Sequence, residues 1–425
     1  MKKTIINCDL LIIGTGMAGM AASVFAANRG LSAVNAGQSG EINFASGFLD
    51  LMGVFPVQDK KQWENPWEAV DALVKEMPEH PYAKISGKEI SLAFDEFTDF
   101  LYQSGVPYAG YPDKNIQMLT PVGTFKPTFR VPNSMFKGIQ AYKEKNQCLI
   151  ADFRGMKGFS GRQLVEVLGD KWPGLRNIRI DLPGLKGEAY PKHLARSMEN
   201  METRQSLIKL LKPHIKEEKS VGFPAIMGLC KTLEVISHLE QELGVEVFEI
   251  AVMPPSVAGS RIWTAYQTGI LKKGVNVLFQ KQVLSFEQSE TGELIFDIGQ
   301  REKELRVQAK GAVLASGRFF GKGLYADRKM IRESIFNLPV FQPESRCRWH
   351  ENNFLSPKGH KLNQAGIETD EFFRPLDSSG RPAYKNLFAA GSILAHQDWT
   401  RMKCGSGLAI ASAFKAVNSF IQELP

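Results

Sequence analysis

The chain is poor in the residues that metal and disulfide chemistry require. Its five cysteines, Cys8, Cys148, Cys230, Cys347 and Cys404, are odd in number and far apart, with no C-x-x-C pair or Cys/His set at ligand spacing. That pattern argues against iron–sulfur, zinc and disulfide scaffolds, predicts no metal site, and suits a reducing compartment. No window has the uninterrupted apolar length of a membrane span. There is no arginine-rich tract and no basic stripe interleaved with aromatics, so the formal charge of +7 over 425 residues points to anionic small ligands rather than nucleic acid. Repeats of solenoid period and low-complexity tracts are missing as well. Lys2 and Lys3 before an apolar stretch imitate a signal peptide, but Asp9 and the glycines that follow argue against one.

One further absence is local. "DLLIIGTGMAG" (Asp9 to Gly19) is an apolar strand followed by Gly14, Gly16 and Gly19 at G-x-G-x-x-G spacing, then a small-residue helix ending at Gly30. Between a strand and a helix such glycines let backbone N–H groups and the helix dipole meet a phosphate. A dinucleotide site of this kind normally has an acid near the end of the second strand to bind the adenosine ribose. Here no carboxylate follows until Glu41. A nucleotide with one phosphate and no adenosine needs none.

Further along, buried-strand patterns recur at "CLIADF", "NIRIDLP", "VEVFEIAV", "KGAVLASG" and "NLFAAG", and "QVLSFEQSETGELIFDIG" alternates like a meander around a turn. These patterns predict an α/β protein with a Rossmann-like FAD/NAD(P)-binding three-layer fold and an inserted α/β domain. The expected boundaries are 1–145 for the N-terminal part of the flavin domain with a helical insertion, 146–255 for the inserted domain, and 256–425 for the C-terminal part with the meander. Two further glycine turns end buried strands, at Gly317 in "VLASGRFFGKG" and at Gly391 with Ser392 in "NLFAAGSILA". Gly405, Ser406 and Gly407 in "CGSGLAI" open the last helix, whose first amides are placed to favour a reduced flavin. Cys404 heads that helix, where a thiol is expected to have a lowered pKa.

The "VLASGRFFGKG" and "NLFAAGSILA" segments, in this order, resemble flavoproteins of the fumarate reductase type. Together with "GQSGEINFASGFLDL", "TPVGTF", "PPSVAGSRI", "GIETDEFFRP" and "GSGLAIASA", the chain resembles the B subunits of anaerobic glycerol-3-phosphate dehydrogenase, most strongly at its two ends. The resemblance implies a flavoprotein in a cytoplasmic complex, peripheral on the membrane, with a catalytic, FAD-bearing A subunit and an iron–sulfur C subunit. It implies oxidation of sn-glycerol 3-phosphate, a small phosphate ester, to dihydroxyacetone phosphate, with electrons passing to quinone. It places the Gly317 and Gly391–Ser392 turns against a flavin and assigns FMN to this subunit, for which the absent acid is expected, with FAD, its ribose held by water or backbone, the alternative.

Such an oxidation needs a base for the hydroxyl proton and cations for the phosphate. His396, just past the "GSIL" turn, is the candidate base. Arg261, in a segment matching the family, is a candidate catalytic cation, and Arg332 and Arg374 are candidates for the substrate phosphate. Ser46 and Thr124 are candidate hydrogen-bond donors to flavin or substrate. Two alternatives remain open: an electron-relay and assembly subunit without its own chemistry, and a free-standing FAD oxidoreductase of the fumarate reductase type.

Overall fold

The structure is a computed structural model that describes residues 5–38, 41–183 and 187–424; Ser39 and Gly40 of the "GQSGEINF" motif lie outside these. The chain divides into two units. The first comprises Met1–Glu41, Asp50–Phe100 and Tyr266–Pro425, and the second Ile42–Leu49 and Leu101–Ala265. The second unit thus begins near residue 101 rather than 146. The reason is packing: Ile116, Met118, Val131, Met135 and Ile139, from hairpins and a helix expected to belong with the flavin domain, share one apolar core with Leu149, Val221 and Phe248.

The first unit is built on a seven-stranded sheet with spatial order Asn276–Phe279, Ala33–Gly37, Ile5–Ile13, Lys303–Leu314, Leu294–Gly299 and Gln282–Gln288; Leu387–Ala389 pairs with the end of the long strand. The pairings of Ile5–Ile13 with both neighbours are parallel, and the 282–299 meander is antiparallel. Strands buried on both faces read as apolar runs, and Leu10, Leu11 and Ile12 are fully buried. The helix Met17–Asn28 is buried on nearly every side, which its alanines permit. It packs on the terminal helix Gly405–Glu423, with Phe25 edge-on to Phe414 at 5.3 Å.

The second unit has a four-stranded, all-parallel sheet in the order Glu246–Ile250, Ser220–Pro224, Cys148–Phe153 and Leu175–Ile180. Helices Gly161–Leu168 and Thr232–Leu243 are the crossovers, so the strand order reverses between Cys148–Phe153 and Ser220–Pro224.

Candidate functional site

In the first unit the carboxyl ends of the parallel strands are knitted into one edge. Gly14 N donates to Ala36 O at 2.7 Å, Ala315 N to Ile13 O at 2.8 Å, Ala390 N to Leu314 O at 3.0 Å, and Gln280 N to Gly37 O at 3.0 Å. Ligands of open α/β sheets bind at such an edge, and Gly14, Gly16, Gly19, Gly317, Gly391 and Ser392 all lie along it or in the turns that leave it.

The glycines there do different work. Gly14 has φ +118°, and a Cβ on it would run into the Ala315 carbonyl; one on Gly19 would run into the Gly14 carbonyl. Both are needed for close backbone packing. Gly16 differs: a Cβ there would meet nothing within 4 Å, so its surface is open. It precedes a helix with no acid in its first turn and no side-chain cap, which leaves amide donors and the positive end of the dipole for an anion. Thr15 Oγ1 and Ser316 Oγ, flanking the Gly14–Ala315 contact, are buried without a protein partner. An open glycine, unsatisfied amides and two spare hydroxyls fit the phosphate of a flavin nucleotide.

The missing acid has a steric cause. Gly37 ends the second strand, and a Cβ on it would lie 2.7 Å from Thr15 N and 2.9 Å from Gly14 Cα. No carboxylate side chain fits there. Two positions earlier, buried Asn35 donates to Gly14 O at 2.7 Å and Ile12 O at 3.1 Å, and accepts from Tyr266 Oη at 2.7 Å. The second strand therefore braces the glycine turn instead of offering a charge. Sequence reasoning missed this brace because its members are 21 and 231 residues apart.

Gly391, at φ +82°, would bring a Cβ within 2.6 Å of Ala18 Cβ, and its amide donates to Ser412 Oγ of the terminal helix at 2.9 Å. Arg318, another residue without a sequence signal, ties the Gly317 turn to this region by donating to the carbonyls of Asn363, Leu394 (3.1 Å) and Gln397 (3.0 Å). At the start of the terminal helix the amide of Gly407 is taken by Asp50 O at 2.7 Å, and Ser406 Oγ accepts from Asp50 N at 2.6 Å. A Cβ on Gly405 would meet the Trp399 ring at 2.6 Å. Cys404 corrects an expectation. It is fully buried, and burial, reinforced by the charges of Asp50 and Asp398, pushes its thiol pKa up rather than down.

His396 sits at φ +62°, its ring against Phe341 with centroids 4.0 Å apart and its Nε2 2.8 Å from Glu368 Oε1. A carboxylate on one ring nitrogen fixes the tautomer of the other, as in base–orienter pairs. Next to Glu368, Lys84 Nζ donates to Thr369 O at 2.6 Å, and burial lowers its pKa against the opposing pull of Asp370, Glu368 and Glu371. Lys84 carried no sequence signal either.

The three arginines expected at the site, Arg261, Arg332 and Arg374, each have a carboxylate partner. Arg332 Nε meets Asp327 at 3.0 Å, and Arg374 meets Asp370 at 2.7 Å and Glu423 at 3.1 Å. In the second unit Arg261 is buried, paired with Glu249 and donating to Gly228 O. That unit also holds Ser46, whose Oγ accepts from Phe48 N at 3.4 Å, and Thr124, which meets Thr120 across a hairpin turn with 2.8 Å between hydroxyls. The described residues contain no His, Cys, Asp and Glu cluster able to hold a metal.

A family model described as an FAD binding domain matches residues 9–408. The chain is 30% identical over 426 residues to the B subunit of anaerobic glycerol-3-phosphate dehydrogenase from Vibrio vulnificus, covering 97% of this chain and 96% of that one. It is 27% identical over 424 residues to the protein of the same name from Pectobacterium atrosepticum, covering 98% and 99%. Among solved structures, the 3-ketosteroid delta1-dehydrogenase from Sterolibacterium denitrificans aligns with a TM-score of 0.45 and 11% identity over 98% of this chain and 100% of that one.

Proposed function

Because the chain belongs to the FAD-binding-domain family that includes the B subunits of anaerobic glycerol-3-phosphate dehydrogenase, we propose that it is the flavoprotein subunit of such a dehydrogenase, oxidising sn-glycerol 3-phosphate to dihydroxyacetone phosphate. The observation that carries this reading is end-to-end similarity to relatives of that name, joined to a glycine turn that fits a flavin phosphate. The bound flavin supplies the two-electron acceptor. The residues proposed around it have separate duties. Gly14, Gly16 and Gly19 with the first amides of Met17–Asn28 hold the phosphate. His396, oriented by Glu368, takes the hydroxyl proton on its other ring nitrogen, and Arg332 and Arg374 attract the substrate phosphate. The setting is a complex with a catalytic A subunit and an iron–sulfur C subunit, peripheral on the cytoplasmic face of the membrane, passing electrons to quinone.

The proposed flavin is FMN, since Gly37 has no room for a ribose-binding acid. Releasing the cofactor from purified protein and weighing it tests this; FAD would overturn it.

One observation favours a second reading. Arg261, Arg332 and Arg374 are each paired with a carboxylate, which weakens their pull on a substrate phosphate. In that reading the A subunit oxidises the substrate and this chain relays electrons. Anaerobic mixing of the isolated chain with glycerol 3-phosphate separates the two: bleaching of the visible flavin bands supports direct oxidation, and unchanged bands support relay.

A further inference from the structure

The segment Arg318 to Lys361 has nine Lys and Arg against four Asp and Glu, a surplus of five within a chain whose whole surplus is seven. Some of its apolar side chains are buried, Ile331 and Trp349 among them, but others are unusually open: Phe354 is 86% exposed and Leu355 81%, with Tyr325 at 50% and Met330 at 41%. Phe354 and Leu355 are held outward by a tightly bonded loop. Leu355 N donates to Asn353 Oδ1 at 3.0 Å, Ser356 N to Asn353 O at 3.0 Å, and Gly359 N to Ser356 O at 3.0 Å. His360 Nδ1 accepts from Glu351 N at 3.1 Å, so its Nε2 carries the proton and donates to Phe354 O at 3.0 Å. Arg401 bonds Pro357 O on the same loop, and Lys358 and Lys361 flank the tip, both exposed. Elsewhere in the segment, Arg346 donates to Asp327 O at 3.4 Å, and the Asp327 carboxylate is paired with Arg332.

We propose that this loop is a membrane-docking tip, inserting Phe354 and Leu355 among the headgroups of an anionic lipid bilayer while the exposed Lys358 and Lys361 meet the lipid phosphates. Two observations select a lipid surface over a protein partner. The cationic surplus complements an anionic leaflet. The apolar tip is two side chains, roughly 300 Å² together, far short of the ~800 Å² that each side of a stable protein interface buries, yet enough to wedge into an interface that charge already attracts. No described helix is long and apolar enough to cross a membrane, and a docking loop needs none. The proposal does not depend on the reaction argued above.

The test is flotation of the full purified chain with phosphatidylcholine vesicles, with and without phosphatidylglycerol. Binding is expected only with phosphatidylglycerol, weakening as salt screens the cations, and falling by about tenfold or more in the Phe354→Ser, Leu355→Ser double variant. The conservative Phe354→Trp variant is expected to bind and to shift its emission to the blue on phosphatidylglycerol vesicles. Equal binding to both vesicle types, wild-type binding by the double variant, or an unmoved tryptophan spectrum overturns the proposal. So does a double variant that floats normally but no longer copurifies with partner subunits, which would make the tip a protein contact.

Discussion

Arg261 and Glu249 form a doubly bonded ion pair inside the second unit, Nη1 to Oε2 at 2.6 Å and Nη2 to Oε1 at 2.8 Å, with both side chains at most 3% exposed. Glu249 also accepts from Met227 N, and Arg261 grips Gly228 O from its other side. The pair thus fastens the turn after Ser220–Pro224 to the adjacent strand. Removing one partner leaves an uncompensated buried charge, which typically costs about 3–5 kcal/mol. Arg261→Ala is therefore expected to lower the urea midpoint of unfolding steeply. A variant with wild-type stability and impaired substrate binding or turnover would restore Arg261 as a catalytic cation.

The contrast between Gly16 and Gly19 gives a second test. Gly19→Ala drives a Cβ into the Gly14 carbonyl, so the turn must open and the protein should be purified without flavin and with reduced stability. Gly16→Ala meets no protein atom and lies at an ordinary φ of −76°. The flavin-free variant should melt like the flavin-free parent, while flavin affinity falls by about tenfold or more because the methyl occupies the phosphate's approach. Fluorescence titration with FMN and FAD, beside thermal melts, checks both. Unchanged affinity in Gly16→Ala would place the phosphate elsewhere.

What was legible beforehand follows from the range of the forces involved. The glycine turn, the buried strands and the meander are local patterns of spacing and alternation, and they appear where they were read, except that "NIRIDLP" forms an edge strand, Leu175–Ile180, with a half-exposed middle. The second unit's true extent was not legible, because Ile116 to Ile139 carry hairpin and helix patterns that fit either neighbour until packing assigns them. Paired arginines were missed for a related reason: a guanidinium's partner is chosen in space. One signal was available. Glu249 is a lone acid near the end of the apolar run "VFEIAV", and a carboxylate inside a buried strand requires a buried cation. Gly37 offered a similar hint, since glycine at the end of a buried strand marks a close backbone approach.

His396 and Glu368 predict a kinetic split. If His396 removes the substrate proton, His396→Gln should lower kcat by roughly 10²–10⁴-fold. Glu368→Gln preserves a hydrogen bond but withdraws the charge that steadies the protonated ring, so a smaller loss in kcat with little change in KM is expected. Steady-state assays of the assembled complex with an artificial electron acceptor measure both. Wild-type turnover in His396→Gln would leave the proton to another group and favour the relay reading.

His80 sets the acid limit of the fold. It is fully buried, its Nδ1 accepts from Tyr82 N at 3.2 Å, and Nε2 has no partner. Only the neutral ring suits such a place, and burial, with a lesser contribution from the charge of His396, pulls its pKa down to about 3 from the ordinary 6.5. A depressed folded-state pKa means that between pH 6.5 and 3 the unfolded chain binds a proton that the folded chain refuses. The contribution of the neutral ring is whole above pH 6.5 and drains away as pH falls, on the order of 3 kcal/mol by pH 4. Unfolding midpoints in urea should therefore fall from pH 7 to pH 4. In His80→Gln, which keeps an acceptor for Tyr82 N but has no proton to gain, the slope should flatten over that window while stability at pH 7 changes less. A variant that loses stability with acid as steeply as the parent would show that carboxylate protonation, rather than this imidazole, sets the limit.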